Sequence, residues 1–172
     1  MNPRAAMAAA AILVGLAAPA AAAQTGPVEV TGATRVEIDE ASGLWHLTGS
    51  PVTIRRGRVV LRAPKITYDT KRQVVEATGG VSYAEPGAEF ASAAAKVWLA
   101  EERLAATGGV TGVLSGSDGE TRLRADRVEA SRARRQMTAT GSVTLTRSGM
   151  TLTGARVDYD ETRQHAAATG QP

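Results

Sequence analysis

The sequence predicts an all-β protein, an open two-sheet β-jelly-roll built from hairpin repeats of about 30 residues. Three observations support this prediction. A basic residue followed by a β-branched residue recurs at a nearly constant interval, and a Thr-Gly pair recurs at the same interval. Between these landmarks apolar and polar residues alternate, which is typical of strands with one buried face.

The two landmarks keep one period through the chain. The basic landmark occurs as Arg35-Val36, Lys65-Ile66, Lys96-Val97, Arg127-Val128 and Arg156-Val157. The Thr-Gly landmark occurs as Thr48-Gly49, Thr78-Gly79, Thr107-Gly108, Thr140-Gly141 and Thr169-Gly170. Because two separate landmarks share the spacing, the sequence indicates five copies of one structural unit.

The first 23 residues resemble a targeting segment. Arg4 precedes an apolar run over residues 5–18, and three alanines end the segment before Gln24. This pattern is typical of a secretory signal peptide cleaved near Ala23/Gln24, which leaves residues 24–172 as one exported domain. An uncleaved membrane anchor is the alternative. The sequence has no cysteine, which argues against a lipidated cysteine and against a disulfide framework.

The charge balance excludes one class of partner. After removal of Arg4, the 20 basic residues become 19, against 17 acidic residues, so the formal charge of the mature chain is +2. Such a small excess does not indicate a nucleic-acid partner.

Each repeat predicts a strand, a charged turn and a second strand. In one copy, residues 65–68 form the first strand, residues 69–72 the turn and residues 73–77 the second strand. The alternation slips by one residue between Ala63 and Ile66 and at the same place in the other copies. A slip turns side chains to the opposite face unless the strand bends. We therefore predict about ten antiparallel strands with a corner in each repeat, where strands pass between facing sheets.

Residues 84–106 are rich in alanine and have the intrinsic propensity of a helix. The repeat instead places Phe90, Ala94, Val97 and Leu104 at strand positions. We predict strands here, because tertiary context overrides propensity.

Both ends of the predicted domain are incomplete repeats, at residues 28–30 and 166–170. An incomplete repeat leaves unpaired backbone N–H and C=O groups along an edge strand. We therefore expect each end to accept a strand from another protein.

The sequence predicts no enzyme, no metal site and no cofactor. The two histidines, His46 and His165, have no cysteine to complete a zinc site. No G-x-S-x-G motif is present. The acidic pairs fall at the predicted hairpin turns, where aspartate is favoured for the turn itself.

Two arms of the repeats are rich in basic side chains, one over residues 55–65 and the other over residues 122–135. Arginine suits bidentate recognition of phosphate, and the first arm is the candidate phosphate-binding rim. The alternative is a solvated outer face on which charge guards the strands. The candidates are Arg55, Arg56, Arg58, Arg62 and Lys65.

Two segments resemble the repeated phrase of a known family. They are "LTGSPVTIRRGRVVLRAPKITYD" and "ATGSVTLTRSGMTLTGARVDYDETRQ", which are similar to the phrase of the OstA-like family, the LptA-type proteins of lipopolysaccharide transport. The resemblance extends from about Val28 to Gly170. It implies a periplasmic jelly-roll, open at both ends, that binds lipopolysaccharide or a similar acylated glycolipid. It also implies head-to-tail stacking by edge-strand addition, with other OstA-like or Lpt jelly-roll proteins or with copies of itself, as a bridge between the two membranes.

On this reading a set of inward side chains lines the lipid groove, although ordinary core packing is an alternative role for each. The candidates are Val59, Leu61, Val75, Ala77, Val81, Tyr83, Phe90, Leu104, Met137, Val143, Leu145, Met150 and Leu152. Two alternatives to a lipid-transport bridge stay open. One is an exported structural or interaction module without a groove, and the other is an anchored LptC-like component.

Overall fold

The computed structural model describes residues 26–116, 119–160, 162–163 and 165–170, so the predicted signal peptide lies outside the described residues. The described chain forms ten β-strands and contains no helix that could span a membrane. The strands are β1 (Val28–Asp39), β2 (Leu44–Arg56), β3 (Val59–Asp69), β4 (Val74–Glu85), β5 (Ala88–Trp98), β6 (Arg103–Gly116), β7 (Gly119–Ser131), β8 (Gln136–Arg147), β9 (Met150–Asp160) and β10 (His165–Thr169).

The ten strands form one antiparallel sheet in sequence order, from β1 to β10. Among the described strands, β1 pairs with β2 alone and β10 with β9 alone, so the sheet is open at both edges. The prediction of an open all-β fold is confirmed, and the two predicted sheets are the two halves of this single folded sheet.

The predicted corners are confirmed at the positions where the alternation slips. The β3–β4 ladder is interrupted between Arg62 and Lys65, and the β8–β9 ladder between Thr140 and Val143. An interruption of this kind divides each of the strands β1 to β9 into two halves. Layer A comprises the halves at residues 28–31, 52–56, 59–63, 81–85, 88–92, 110–116, 119–125, 143–147 and 150–154. Layer B comprises residues 33–39, 44–48, 65–69, 74–78, 94–98, 103–107, 127–131, 136–140, 156–160 and 165–169.

The core lies between the two layers. Buried side chains from both layers form one hydrophobic cluster, and they alternate along each strand with more exposed ones. Close to the corners several inward residues of layer B are alanines, and Ala77, Ala106 and Ala139 are almost fully buried. Small side chains allow close approach. The layers are therefore tightly packed along the corner.

The turns between strands use aspartate as predicted. The Asp69 carboxylate accepts a hydrogen bond from the Arg72 backbone N–H (2.8 Å), and the Asp160 carboxylate accepts one from that of Arg163 (3.0 Å). Asp39 accepts the N–H groups of residues 41 and 42 in the same way. These acidic residues therefore stabilise the turns through hydrogen bonds to the turn backbone.

The alanine-rich segment is extended, as the repeat predicts. It comprises the end of β4, all of β5 and the start of β6. Phe90, Val97 and Leu104 are buried inward residues. Pairing with both neighbouring strands satisfies the backbone, so the helical propensity of alanine does not decide the structure.

Candidate lipid-binding trough

The tips of the two layers, opposite the corner, remain apart and enclose a cavity of about 480 Å³. This volume lies within the range of small-molecule binding sites. Most of the lining is apolar and comes from both layers: Val59, Tyr83, Phe90, Val97, Trp98, Leu99, Leu104, Leu114, Met137 and Tyr159. The folded sheet is therefore a trough whose mouth runs along the tips of the strands.

Charged side chains lie at the mouth of this cavity. Four arginines and two glutamates are among the lining residues: Arg56, Arg103, Arg132, Arg135, Glu85 and Glu102. The charged groups give this mouth a net positive charge above an apolar floor.

Arg56 occupies the last inward position of β2, after the buried Val52 and Ile54. Its Nε and Nη1 atoms are buried. Burial raises the pKa of the Tyr68 hydroxyl, and the Arg56 charge opposes that shift. Because Tyr68 belongs to layer B, the guanidinium at the tip of layer A acts across the mouth.

Glu85 occupies the matching position at the end of β4 and meets Arg132 across the mouth. The Glu85 carboxylate and the Arg132 guanidinium are 3.4 Å apart. Burial raises the pKa of Glu85, while Arg132 and a hydrogen bond from Tyr83 lower it. Burial also raises the pKa of Tyr83, so its hydroxyl keeps the proton that it donates to Glu85.

A second, smaller space continues the trough towards β9 and β10. It has room for about one water molecule, at about 20 Å³. Leu145, Leu152 and Ala166 line it, together with Met137 and Tyr159, which also line the main cavity. The apolar interior thus extends from the middle of the sheet towards its C-terminal edge.

The structure divides the predicted groove residues into three groups. Those that line one of the two spaces are Val59, Tyr83, Phe90, Leu104, Met137, Leu145 and Leu152. Those buried in the core outside these spaces are Leu61, Val75, Ala77, Val81 and Val143. Met150 is inward by register, opposite Arg147, but its side chain is 50% exposed.

Of the five predicted rim residues, Arg56 alone lines the cavity. Arg55 and Arg62 are exposed and alternate with inward residues, so they point outwards. Arg58 lies in an exposed turn, and Lys65 is exposed at the corner of β3. These four positions fit the alternative of a charged outer face.

Three copies of the basic landmark form ion pairs on the outer face. Arg127 pairs with Glu129, and Arg156 pairs with Asp158 at 2.6 Å, each two residues further along its own strand, and the first copy, at Arg35, pairs in the same way. Residues two apart on a strand share a face, which brings the two charges of each pair together.

The sequence did not identify Glu85, Glu102, Arg103 or Leu99 as lining residues. Arg132 and Arg135 belong to the second basic arm but were not among the predicted rim residues. A signal was present for Glu85. Its position continues the inward series of Val81 and Tyr83, so the alternation itself places a charge inside.

The ends of the sheet expose apolar side chains. Val36 and Ile38 of β1 are 50% and 51% exposed, and Met150 lies on β9. Val36 and Ile38 pair with Leu47 and Trp45, so they belong to the inward face. The apolar lining therefore continues to the N-terminal edge and is uncovered there.

Comparison with known proteins adds a family match. The family described as LptA/(LptD N-terminal domain) LPS transport protein matches residues 32–165. Among solved structures, the chain is similar to LptH, the LptA homologous periplasmic component of the lipopolysaccharide transport device from Pseudomonas aeruginosa. The identity is 16% over 86% of this chain and 85% of that chain, with a TM-score of 0.39. Among curated protein sequences, none matches.

Proposed function

The chain belongs to the family of LptA and LptD N-terminal-domain proteins, which transport lipopolysaccharide, and from this membership we propose that its trough holds the acyl chains of lipopolysaccharide or a similar glycolipid. The family consists of transport proteins, so the chain is not an enzyme. We further propose that the chain is exported, is cleaved near Ala23/Gln24 and acts in the periplasm.

The physical need for such a trough is large. Each CH₂ group that is moved out of water is stabilised by about 0.8 kcal/mol. A single chain of about a dozen carbons therefore needs about 10 kcal/mol of shielding to cross an aqueous compartment. An apolar cavity that opens along one side of the protein supplies that shielding while leaving the headgroup in water.

The observation that carries this proposal is the cavity at the mouth of the trough. Its walls are apolar, with Phe90, Leu104 and Met137 among them, and four arginines and two glutamates stand at its rim. Arginine binds phosphate through paired hydrogen bonds. A phosphate-bearing, acylated lipid matches this combination of an apolar interior and a cationic mouth.

We also propose that the chain stacks head to tail with other jelly-roll proteins of its family or with copies of itself. Two observations support this. Among the described strands, β1 pairs only with β2, and residues 150–154 of β9 pair only with β8 because β10 extends along residues 156–160 alone, so both ends of the sheet have an open strand edge. The exposed apolar residues Val36, Ile38 and Met150 lie on these same end strands. An added strand would cover them and continue the trough into the next protein.

The alternative of an exported module with a solid core is supported by the tight packing along the corner, where Ala77 and Val143 are almost fully buried. Site-specific photo-crosslinking in living cells separates the two functions. A benzophenone amino acid at Phe90, in the cavity, should form adducts with glycolipid. The benzophenone amino acid in place of Glu89, which is exposed on the opposite face of β5, should form no adducts with glycolipid. Adducts only with protein at Phe90 would favour the solid-core module.

A further inference from the structure

An ion pair connects the tips of the two layers across the cavity mouth. We propose that Glu85 and Arg132 form a latch that bridges the mouth of the trough and that must open for an acyl lipid to enter past it from the side. The lipid in this statement rests on the proposed function. The latch itself rests on the geometry of the two tips.

The position of the pair distinguishes it from the outer-face ion pairs. Glu85 ends β4 in layer A, and Arg132 begins the turn between β7 and β8 beyond the end of layer B. Both line the cavity, and their side chains are 19% and 24% exposed. The Arg127–Glu129 pair lies within one strand of layer B and is about half exposed. The Glu85–Arg132 pair therefore bridges the layers in a partly dry place.

Both partners are held in position by their own layer. The Tyr83 hydroxyl, two residues before Glu85 on the same face, donates a hydrogen bond to the carboxylate. The Arg132 backbone N–H donates to the Glu102 carbonyl (2.9 Å), which ties the turn to its neighbour. Each side chain is held in position by its own layer. The ion pair therefore connects the two layers and not only two flexible side chains.

The charge of Arg132 compensates only part of the cost of burying Glu85. Burial raises the pKa of Glu85 more strongly than Arg132 lowers it, and Glu102 adds to the rise. The carboxylate therefore regains hydration when the tips separate, which offsets part of the attraction lost with the ion pair.

The corner of β4 offers a place for movement. β4 bends through Gly79 and Gly80, which have φ angles of 90° and 96°. A Cβ on Gly80 would meet no atom within 4 Å. A small backbone change at this corner moves the tip that carries Glu85, in the manner of a hinge.

The distance between the tips tests the latch without any lipid. The natural sequence has no cysteine, so Glu89→Cys and Arg134→Cys place one spin label on each side of the mouth for double electron–electron resonance. We expect a narrow distance distribution in the parent protein. Glu85→Gln and Arg132→Gln should each lengthen and broaden it, and the exchanged pair Glu85→Arg with Arg132→Glu should restore it.

The matched control is Glu129→Gln, which removes an ion pair of the same type from the outer face and should leave the distance unchanged. A Glu85→Gln distribution that superimposes on that of the parent would overturn the latch. So would an exchanged pair that stays as open as the single variants.

The uptake rate of a pyrene-labelled dodecyl phosphate tests the role of the latch for lipid. We expect uptake and release to be several-fold faster in Glu85→Gln than in the parent or in Glu129→Gln. Binding with equal rates in all three would overturn gating while leaving the proposed lipid function intact. If the probe binds none of them, the lipid function and its gating fail, and the label distances still decide whether the latch exists.

Discussion

Two carboxyl groups show how position on this sheet sets the behaviour of a single residue. Asp158 lies on the outer face, where a hydrogen bond from Arg156 and a second one from Thr138 lower its pKa. Glu85 lies at the inner tip, where burial raises its pKa. The same chemical group is therefore stabilised as the anion at one site and disfavoured as the anion at the other.

Asp158→Asn should make the folding stability depend less strongly on pH in the acid range. The pKa of Asp158 is lower in the folded chain, so its stabilisation is fully present above about pH 4 and is lost as the pH falls through the folded value. We expect the urea midpoint of the parent to fall more steeply than that of the variant as the pH drops below about 4. Parallel profiles would contradict this account of the Arg156–Asp158 pair.

Replacement of a core valine by alanine should lower the free energy of unfolding more than replacement of an edge valine. Val75→Ala removes methyl groups from a side chain with 0% exposure and should reduce the free energy of unfolding by about 1.5–3 kcal/mol. Val36→Ala, at a side chain that is 50% exposed, should change it by less than about 0.5 kcal/mol. Chemical denaturation of both variants measures the difference. Equal losses would mean that the interior is not packed as described.

Alternation identified most inward residues from the sequence, because period two fixes which side chains share a face. It did not show which of them border open space. Leu104 and Val75 have the same pattern, yet only Leu104 lines the cavity. That difference depends on how far apart the layers stand at each point, which is not encoded in any one strand.

Each long strand bends at a corner between the two layers, and the corners depend on backbone conformations that glycine adopts readily. Gly32 has a φ of 76°, and a Cβ there would lie 2.4 Å from the carbonyl oxygen of Pro51 on the neighbouring strand. Gly109, at a corner in β6, has a φ of 74° but no atom near the Cβ position.

Gly32→Ala should therefore be more destabilising than Gly109→Ala. Both substitutions force a left-handed conformation on alanine, which costs about 1–2 kcal/mol. Gly32→Ala also forces a backbone carbonyl to move and should cost more than this amount. Thermal denaturation of the two variants compares them. A larger loss for Gly109→Ala would contradict the described approach of β1 to β2.

The corners and the number of strands were predictable because the slip in alternation recurs with the landmarks. The strand assignment of residues 84–106 was predictable for the same reason, against the propensity of its alanines. The ion pair between the charged tips of the two layers was not predictable from the sequence. Glu85 and Arg132 are brought together by the folding of the sheet on itself, and no local pattern connects two turns of different repeats.

The molecule as a whole is a trough with uncovered ends. Ile38→Lys places a charge on the inward face of β1, where Ile38 is 51% exposed. We expect this change to weaken end-to-end association, because a buried lysine without a partner is costly. Sedimentation velocity over a range of concentrations should show a shift towards the monomer. Glu37→Lys, on the outward face of the same strand, is the control, and equal effects of both would argue against burial of the inward face.

The proposed cargo of the trough is an acylated, phosphate-bearing lipid. Mass spectrometry of the lipids extracted from the chain, after purification from its own cell envelope, identifies that cargo. We expect a glycolipid with several acyl chains, enriched over the bulk phospholipids and reduced when Leu104, in the cavity wall, is replaced by aspartate. An extract without such a glycolipid, or one identical for the parent and Leu104→Asp when both are folded, would contradict it.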